Sequence, residues 1–166
     1  MRRPLGLFAA AAALATIAAP VSTAQAVTAS VSSAAKVGTA QENMVVRLVN
    51  ARRAKKGCRA LKHHSQLHRA AHGHSADMAE HNYFSHTSRD GRSFMDRVRE
   101  ASFTGGTQWA ENIGKGQRTP AAVVQSWMNT SGTKAPIVNC KFTYIGVGAV
   151  EDSDGAIYWT QIFAAK

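Results

Sequence analysis

The sequence predicts an α+β fold in which helices pack on an antiparallel sheet. Apolar residues recur at helical spacing in segments between residues 41 and 131, whereas residues 142–163 are rich in β-branched and aromatic side chains. The polar turn at residues 151–155 divides this late segment into the two strands of a hairpin. Helices followed by a late antiparallel hairpin are typical of an α+β domain.

The first 26 residues have the layout of a signal peptide. Arg2 and Arg3 precede the uncharged apolar stretch 5–20, and Ala24-Gln25-Ala26 matches an A-x-A cleavage site. An uncleaved membrane anchor is the alternative, but the stretch is shorter than the roughly 20 residues that a spanning helix requires. We therefore predict cleavage after Ala26 and secretion of the mature chain. Removal of 26 of the 166 residues leaves 140, which suits a single domain.

Two helices are predicted after a flexible leader. Residues 27–40 are small and polar and have no apolar period, so we interpret them as the leader. Helical spacing of apolar residues predicts a helix over 41–56, which ends at Gly57. A second helix is predicted over 65–81, with Ser65 as its N-cap.

Capping signals predict two further helices, with an extended piece between them. Ser93 and Asp96 have the spacing of a capping box, with Asp in place of the usual Glu. Residues 109–113 lie between glycines and are predicted to be extended. Thr119-Pro120 starts the next helix, which we expect to stop near Ser131-Gly132.

The two cysteines predict a disulfide. Cys58 and Cys140 make an even count in a chain bound for an oxidising compartment. A catalytic thiol is the alternative, but neither cysteine has a local signature of one.

The chain is strongly basic. From a formal net charge of +10, removal of the two arginines of the signal peptide leaves +8. Such a surface favours polyanions, which outside a cell include wall polymers and anionic lipid heads. Nucleic acid is not expected as a partner because the sequence contains no nucleic-acid-binding motif. The alternative is that the charge only keeps the protein soluble.

Five segments resemble, in order and spacing, bacterial secreted proteins of the CAP superfamily. They are HSADMAEHNYFSHTSRDGRSFMDRV, AENIGKG, TPAAVVQSWMNTSG, FTYIGVGAV and YWTQIFA. The resemblance covers residues 41–166, which we therefore predict to be a CAP domain. It implies a three-layer α-β-α sandwich around a central antiparallel sheet, and it matches Cys58 and Cys140 to a disulfide of some bacterial members. Family members have been linked to sterols, fatty acids and other wall or membrane components.

The resemblance also implies a cleft lined by two histidines and two acidic residues, which hold a divalent metal in some members. His86 matches the first histidine and Glu111 the first acidic residue, but the other two positions fall near Thr130 and at Thr133. A transition-metal site generally requires three or more protein ligands. We therefore expect no cofactor, and zinc held by His86 and Glu111 is the less favoured alternative.

Within the cleft, the favoured interpretation is that His86 and Glu111 hydrogen-bond each other and order the loops of the cleft floor. These two residues are also the candidates for any catalytic role. Asn112, Trp127 and Thr133 complete the predicted ligand-binding cleft, and threonine is smaller than the family's histidine, so an organic ligand keeps its access.

A histidine stripe runs through the second predicted helix. His64, His68 and His72 recur every four residues, and two histidines at i and i+4 can chelate a metal. The helix drifts by about 40° over each four-residue step, so His64 and His72 diverge, and no acidic partner is apparent. We expect a solvated polar face, with a metal site or a pH-responsive surface as alternatives. His74 fits the family pattern better and is interpreted as a histidine at the edge of the core.

Three functional hypotheses remain. The first is a monomeric extracellular binding module for a lipid or a cell-wall component. The second is a metal-assisted hydrolase that acts on wall or peptide bonds through His86 and Glu111. The third is a cationic protein that adheres to anionic wall polymers through the face of its first helix. A nucleophilic hydrolase is not supported, because no serine lies in a nucleophile elbow.

Overall fold

The computed structural model describes residues 37–166. The predicted signal peptide, residues 1–26, and leader residues 27–36 lie outside the described residues. Within residues 37–166, no helix combines the length and the apolar character needed to cross a bilayer. The elements are α1 (Ala40–Ala54), β1 (Lys62–His63), α2 (Ser65–Glu80), α3 (Phe94–Glu100), β2 (Gln108–Lys115), α4 (Pro120–Asn129), α5 (Ser131–Val138), β3 (Tyr144–Glu151) and β4 (Ile157–Ala165).

A four-stranded sheet with the order β1-β3-β4-β2 forms the middle layer. β4 pairs antiparallel with both β3 and β2, which confirms the predicted hairpin and the antiparallel sheet. β1 is a short parallel addition that pairs with β3 only at Tyr144 and Ile145. The sheet therefore has two edges, one along β2 and one along the part of β3 that continues beyond β1.

Helices cover both faces of the sheet, as the resemblance implied. On one face, Trp159 and Phe163 of β4 pack in a cluster with side chains of α1, α4 and α5. On the other face, Ile162 of β4 packs with Leu67 of α2 and Val98 of α3. Successive β4 side chains alternate between these clusters because strand side chains point to opposite faces in turn. The α+β class and the three layers are both confirmed.

Two helices start at the predicted capping signals. Ser93 and Asp96 form the expected capping box at α3, and Thr119 caps α4 directly before Pro120. An equivalent box joins Thr39 to Glu42 at α1, so the end of the predicted leader belongs to this helix start.

One N-cap prediction was wrong, and one helix was not predicted. His64, not Ser65, is the N-cap of α2, because the His64 ring nitrogen accepts a hydrogen bond from the Gln66 backbone N–H and Ser65 is already helical. α4 ends at Asn129, close to the predicted stop at Ser131-Gly132, but these two residues open a further short helix, α5, which contains Pro136 and was not predicted. Glycine near a helix start interrupts no intrahelical hydrogen bond there, since the first N–H groups of a helix have no intrahelical partner.

The end of α1 is held to the segment before β3. The predicted disulfide between Cys58 and Cys140 is present. Arg53 is fully buried beside it and donates hydrogen bonds to the carbonyl oxygens of Arg59, Ile137, Asn139 and Phe142 at 2.8–3.0 Å. These contacts fix the loop that leads from α5 into the hairpin.

Candidate functional site

A cleft of about 290 Å³ lies beside β2, between the segment after α2 and the corner of α4 and α5. Phe84, Ile113, Trp127 and Thr133 are among its lining residues. Phe84 is 50 % exposed, whereas Trp127 is almost fully buried and donates its indole N–H to the Ile113 carbonyl at 2.9 Å. This hydrogen bond ties α4 to β2 and gives the cleft a firm aromatic wall.

Asn112 supports the corner between α4 and α5. Its side chain is buried and donates to the Thr133 carbonyl at 2.8 Å and to Gln161 Oε1 at 3.1 Å. The Thr133 hydroxyl donates to the Trp127 carbonyl at 2.7 Å. Of the predicted cleft residues, Trp127 and Thr133 therefore line the cavity, and Asn112 fixes their position.

His86 and Glu111 meet on the face of β2 that is covered by α3. His86 Nδ1 donates to Glu111 Oε1 at 2.8 Å, as the sequence interpretation expected. Glu111 is only 1 % exposed although His86 is largely in solvent. Neither residue is among those that line the cleft, so the pair stands beside the cavity rather than in it.

Arg97 of α3 is the third member of this group, and the sequence analysis missed it. Its guanidinium, 5 % exposed, donates to Glu111 Oε2 at 2.7 Å and to the His86 carbonyl at 3.0 Å. It also donates to the Ser88 hydroxyl and to the Arg92 carbonyl. The one signal in the sequence that Arg97 is buried was its place in the segment FMDRV, close to the apolar residues Phe94 and Val98. An arginine on an amphipathic helix is ordinarily exposed, so this signal was weak. Arg97 connects the loop after Ser85 to β2 through Glu111.

This group does not fit the metal that the resemblance implies. The Arg97 guanidinium pairs with Glu111 Oε2 at 2.7 Å and compensates the charge that would attract a cation. Within residues 37–166, no third histidine, cysteine or acidic side chain joins His86 and Glu111 to make a metal-ligand cluster. His86 and Glu111 are therefore suited to order the loop between α2 and α3.

The hydrogen bond with Glu111 raises the pKa of His86 above its ordinary value, although partial burial opposes the shift. A folded-state pKa that is raised stabilises the protein fully below the unfolded-state value, and the contribution is lost as the pH rises through the folded-state value. The His86–Glu111 pair should therefore contribute more to stability in acid than in base.

We expect His86→Gln to lower the free energy of unfolding more at pH 5.5 than at pH 8.5. The reason is that the Glu111 carboxylate stabilises the protonated imidazole more than the neutral one. Urea unfolding of both proteins at the two pH values measures the difference. His86 is exposed, so the variant should fold. An equal loss at both pH values would contradict a raised pKa.

The histidines of the stripe do not share one environment: His64 points away from His72, as the helix drift predicts. The groups that surround them differ from the expectation. His64 lies against the rings of Phe103 and Tyr144, with centroids 4.8 and 5.2 Å away. His68 and His72 lie beside Glu42 of α1. The expected solvated face without an acidic partner was wrong, because the partner comes from a different helix that the spacing within α2 cannot reveal. His74 is buried and donates Nε2–H to the Ser85 carbonyl at 2.9 Å.

The comparisons with known proteins agree with the resemblance drawn above. The model of the CAP, or cysteine-rich secretory protein, family matches residues 46–163. The Bacillus subtilis protein YkwD is 43 % identical over 128 residues, which are 77 % of this chain and 48 % of YkwD. This chain therefore spans about half the length of that relative.

Solved structures give the same result. An extracellular protein containing a SCP domain from Bacillus anthracis is 31 % identical, with a TM-score of 0.68 over 76 % of this chain and 40 % of that one. An outer surface protein from Borrelia burgdorferi has a TM-score of 0.70 over 79 % of this chain and 97 % of its own, at 19 % identity. At that identity the second similarity supports the fold alone.

Proposed function

The chain belongs to the cysteine-rich secretory protein family, and on that premise we propose that it is an extracellular binding protein for an apolar lipid or wall-derived ligand. The observation that carries the proposal is the half-exposed ring of Phe84 at a cleft whose wall contains Ile113 and Trp127. Ligand pockets are typically lined by apolar and aromatic side chains with a few polar groups. The extracellular SCP-domain relative from Bacillus anthracis supports the location.

The polar groups near the cleft favour binding over hydrolysis. Glu111 is fully engaged by His86 and Arg97, so it is poorly placed to act as a general base. The hydroxyl of Thr133 is engaged by the Trp127 carbonyl and does not replace the family's second histidine as a ligand. The metal-assisted hydrolase is therefore the weaker proposal.

Adhesion to anionic polymers is the other alternative, and exposed basic residues at the end of α1 favour it. Lys55, Lys56 and Arg59 lie in solvent there, whereas Arg53 is buried and adds nothing to the surface charge. Binding through such a surface weakens steeply with salt, while capture of an apolar ligand survives it.

We expect Phe84→Asp to weaken the binding of a fluorescent fatty acid by about tenfold or more. Full burial of a phenylalanine is worth about 1.5–3 kcal/mol, and a ligand can bury about half of the Phe84 ring. An aspartate there adds the cost of desolvating a carboxylate, and about 1.4 kcal/mol in total corresponds to a tenfold change. Fluorescence titration at 0.1 and 0.5 M NaCl gives the affinity and its salt dependence. Met44→Asp is the matched control, because Met44 is 40 % exposed on α1 and does not line the cleft.

Native mass spectrometry of the protein recovered from its exporting host tests the same proposal without a probe. A retained lipid or wall fragment that is reduced in Phe84→Asp would support the cleft. Equal fatty-acid affinities in wild type, Phe84→Asp and Met44→Asp would refute it, and binding that disappears at 0.5 M NaCl would favour the cationic alternative.

A further inference from the structure

The free edge of β3 lies at the opposite side of the sheet from the cleft. Its unpaired backbone groups form hydrogen bonds with side chains rather than with another strand. Beyond β1, the Val147 carbonyl accepts a hydrogen bond from His68 Nδ1 at 2.8 Å. The Ala149 N–H donates to Glu42 Oε1 at 3.1 Å, and the Val147 N–H faces His63 Nε2 at 3.4 Å. Imidazole and carboxylate groups from α1, β1 and α2 are therefore gathered at one point.

Glu42 is a fully buried carboxylate whose position is fixed. The Thr39 N–H donates to Oε2 at 2.6 Å as part of the capping box of α1, and the Ala149 N–H holds Oε1. Backbone donors from two different elements thus orient both oxygens. Hydrogen bonds of this kind orient the ligands of protein metal sites.

His68 and His72 face this carboxylate from successive turns of α2. His72 Nδ1 lies 2.9 Å from Glu42 Oε1, and His68 Nδ1 lies 3.9 Å from Glu42 Oε2. One ligand atom from each of the three residues lies within 4.8 Å of the others. The side chains of His68 and His72 are 22 % and 45 % exposed, so an ion from solvent can reach them.

We propose that Glu42, His68 and His72 form a binding site for a divalent transition-metal ion of the zinc type. Two imidazoles and one carboxylate are a donor set that zinc accepts, with the fourth position left to water. Ligand atoms about 2.0–2.2 Å from a tetrahedral ion lie about 3.4 Å apart. The distances from Glu42 to His72 and His68, 2.9 and 3.9 Å, lie on either side of this value. Small side-chain rotations therefore bring the three ligand atoms to the separation that a bound ion requires.

Ion binding changes the tautomers of the two histidines and exchanges two of their hydrogen bonds for bonds to the ion. A neutral imidazole binds through a bare nitrogen, so the proton now on Nδ1 moves to Nε2 and the ion replaces the hydrogen bonds from His72 to Glu42 and from His68 to Val147. The alternative is that the two histidines only stabilise a buried carboxylate. The site is separate from the cleft and does not depend on the proposed function.

Isothermal titration of the untagged, EDTA-stripped protein with zinc chloride tests the proposal. We expect one zinc ion per chain, with an affinity at least about 100-fold lower in His68→Ala and in His72→Ala, since loss of even an outer partner costs about 10- to 100-fold. His81→Ala is the matched control, because His81 follows the last turn of the same helix and pairs with Asp77 at 3.0 Å, and no third ligand joins them among residues 37–166. Its zinc affinity should equal that of the wild type, as should that of His86→Ala.

A second measurement needs no variant and therefore does not depend on folding of the alanine proteins. In ¹⁵N-labelled wild-type protein, substoichiometric zinc should shift the imidazole resonances of His68 and His72 before those of the other five histidines. Absence of zinc uptake by the wild type would overturn the proposal. So would unchanged affinity in folded His72→Ala, or first shifts at His81 or His86.

Discussion

Replacement of Arg97 by methionine is expected to destabilise the protein by about 3–5 kcal/mol. Removal of one partner of a buried ion pair costs about this much because the other charge stays buried without compensation. Glu111 is 1 % exposed, and of its side-chain hydrogen bonds within the described part of the chain only the one from His86 would remain. The Ser88 hydroxyl and the His86 carbonyl would also lose the hydrogen bonds from Arg97, and the Arg92 carbonyl would keep the one from the Ser88 N–H.

Urea unfolding at pH 7 measures this cost, and Arg99→Met is the matched control. Arg99 lies two residues further along α3, is exposed and pairs with Asp96 at 3.1 Å, so its replacement should change stability by no more than about 0.5 kcal/mol. Equal effects of Arg97→Met and Arg99→Met would show that the Arg97–Glu111 pair is not buried in solution.

A double variant separates the ion pair from the packing of α3. Arg97→Met with Glu111→Leu removes both charges, and replacement of a buried pair by apolar side chains is often close to neutral. We expect the double variant to be more stable than Arg97→Met alone. A double variant that loses the sum of both single changes would mean that the two side chains act independently.

The parts of the fold that depend on residues close together in the sequence were predictable. The capping box at Ser93, the Thr119-Pro120 start of α4 and the hairpin around residues 151–155 are each encoded within a few positions. The bounds of α5 were not predictable in this way, because Gly132 and Pro136 both indicate the end of a helix. Contacts with the rest of the protein override these local preferences.

The same distinction holds for the candidate sites: contacts between residues far apart in the sequence were the ones that were missed. The hydrogen bond between His86 and Glu111 was expected because the family resemblance placed both residues in one region. Arg97 and Glu42 were missed because each meets its partners across different elements, at separations of 14 residues for Glu111 and 30 residues for His72. Charge alone could not distinguish them from exposed residues, since only tertiary contacts bury them.

The two candidate sites occupy the two edges of one sheet. At the β2 edge, Trp127 satisfies the Ile113 carbonyl, and at the β3 edge, His68 and Glu42 satisfy Val147 and Ala149. Unpaired edge groups invite association with other strands unless side chains or neighbouring elements cover them. The same side chains that protect each edge thus also shape the site beside it, which explains why functional candidates cluster there.

The position of α2 on the sheet depends on two glycines of β3, and replacement of either should be severe. A Cβ at Gly148 would overlap the backbone of Ala71 and His72, and a Cβ at Gly146 would overlap the backbone of Leu67. Backbone atoms cannot rotate away as a side chain can, so α2 or β3 would have to shift. We expect Gly148→Ala to destabilise the protein by about 3 kcal/mol, at the upper end of the usual range for overpacking.

Gly73→Ala on α2 is the matched control and should have the opposite sign. Apart from the backbone of its own helix and its chain neighbours, no atom of residues 37–166 lies within 4 Å of a Cβ at Gly73. Gly73 is inside the helix, so alanine should stabilise the protein by about 0.5–1 kcal/mol. Thermal and urea unfolding of the two variants give both values. Because a shift of α2 moves His72 away from Glu42, a folded Gly148→Ala protein should also bind zinc more weakly than Gly73→Ala. A Gly148→Ala protein as stable as the wild type would show that α2 does not contact β3 through its backbone.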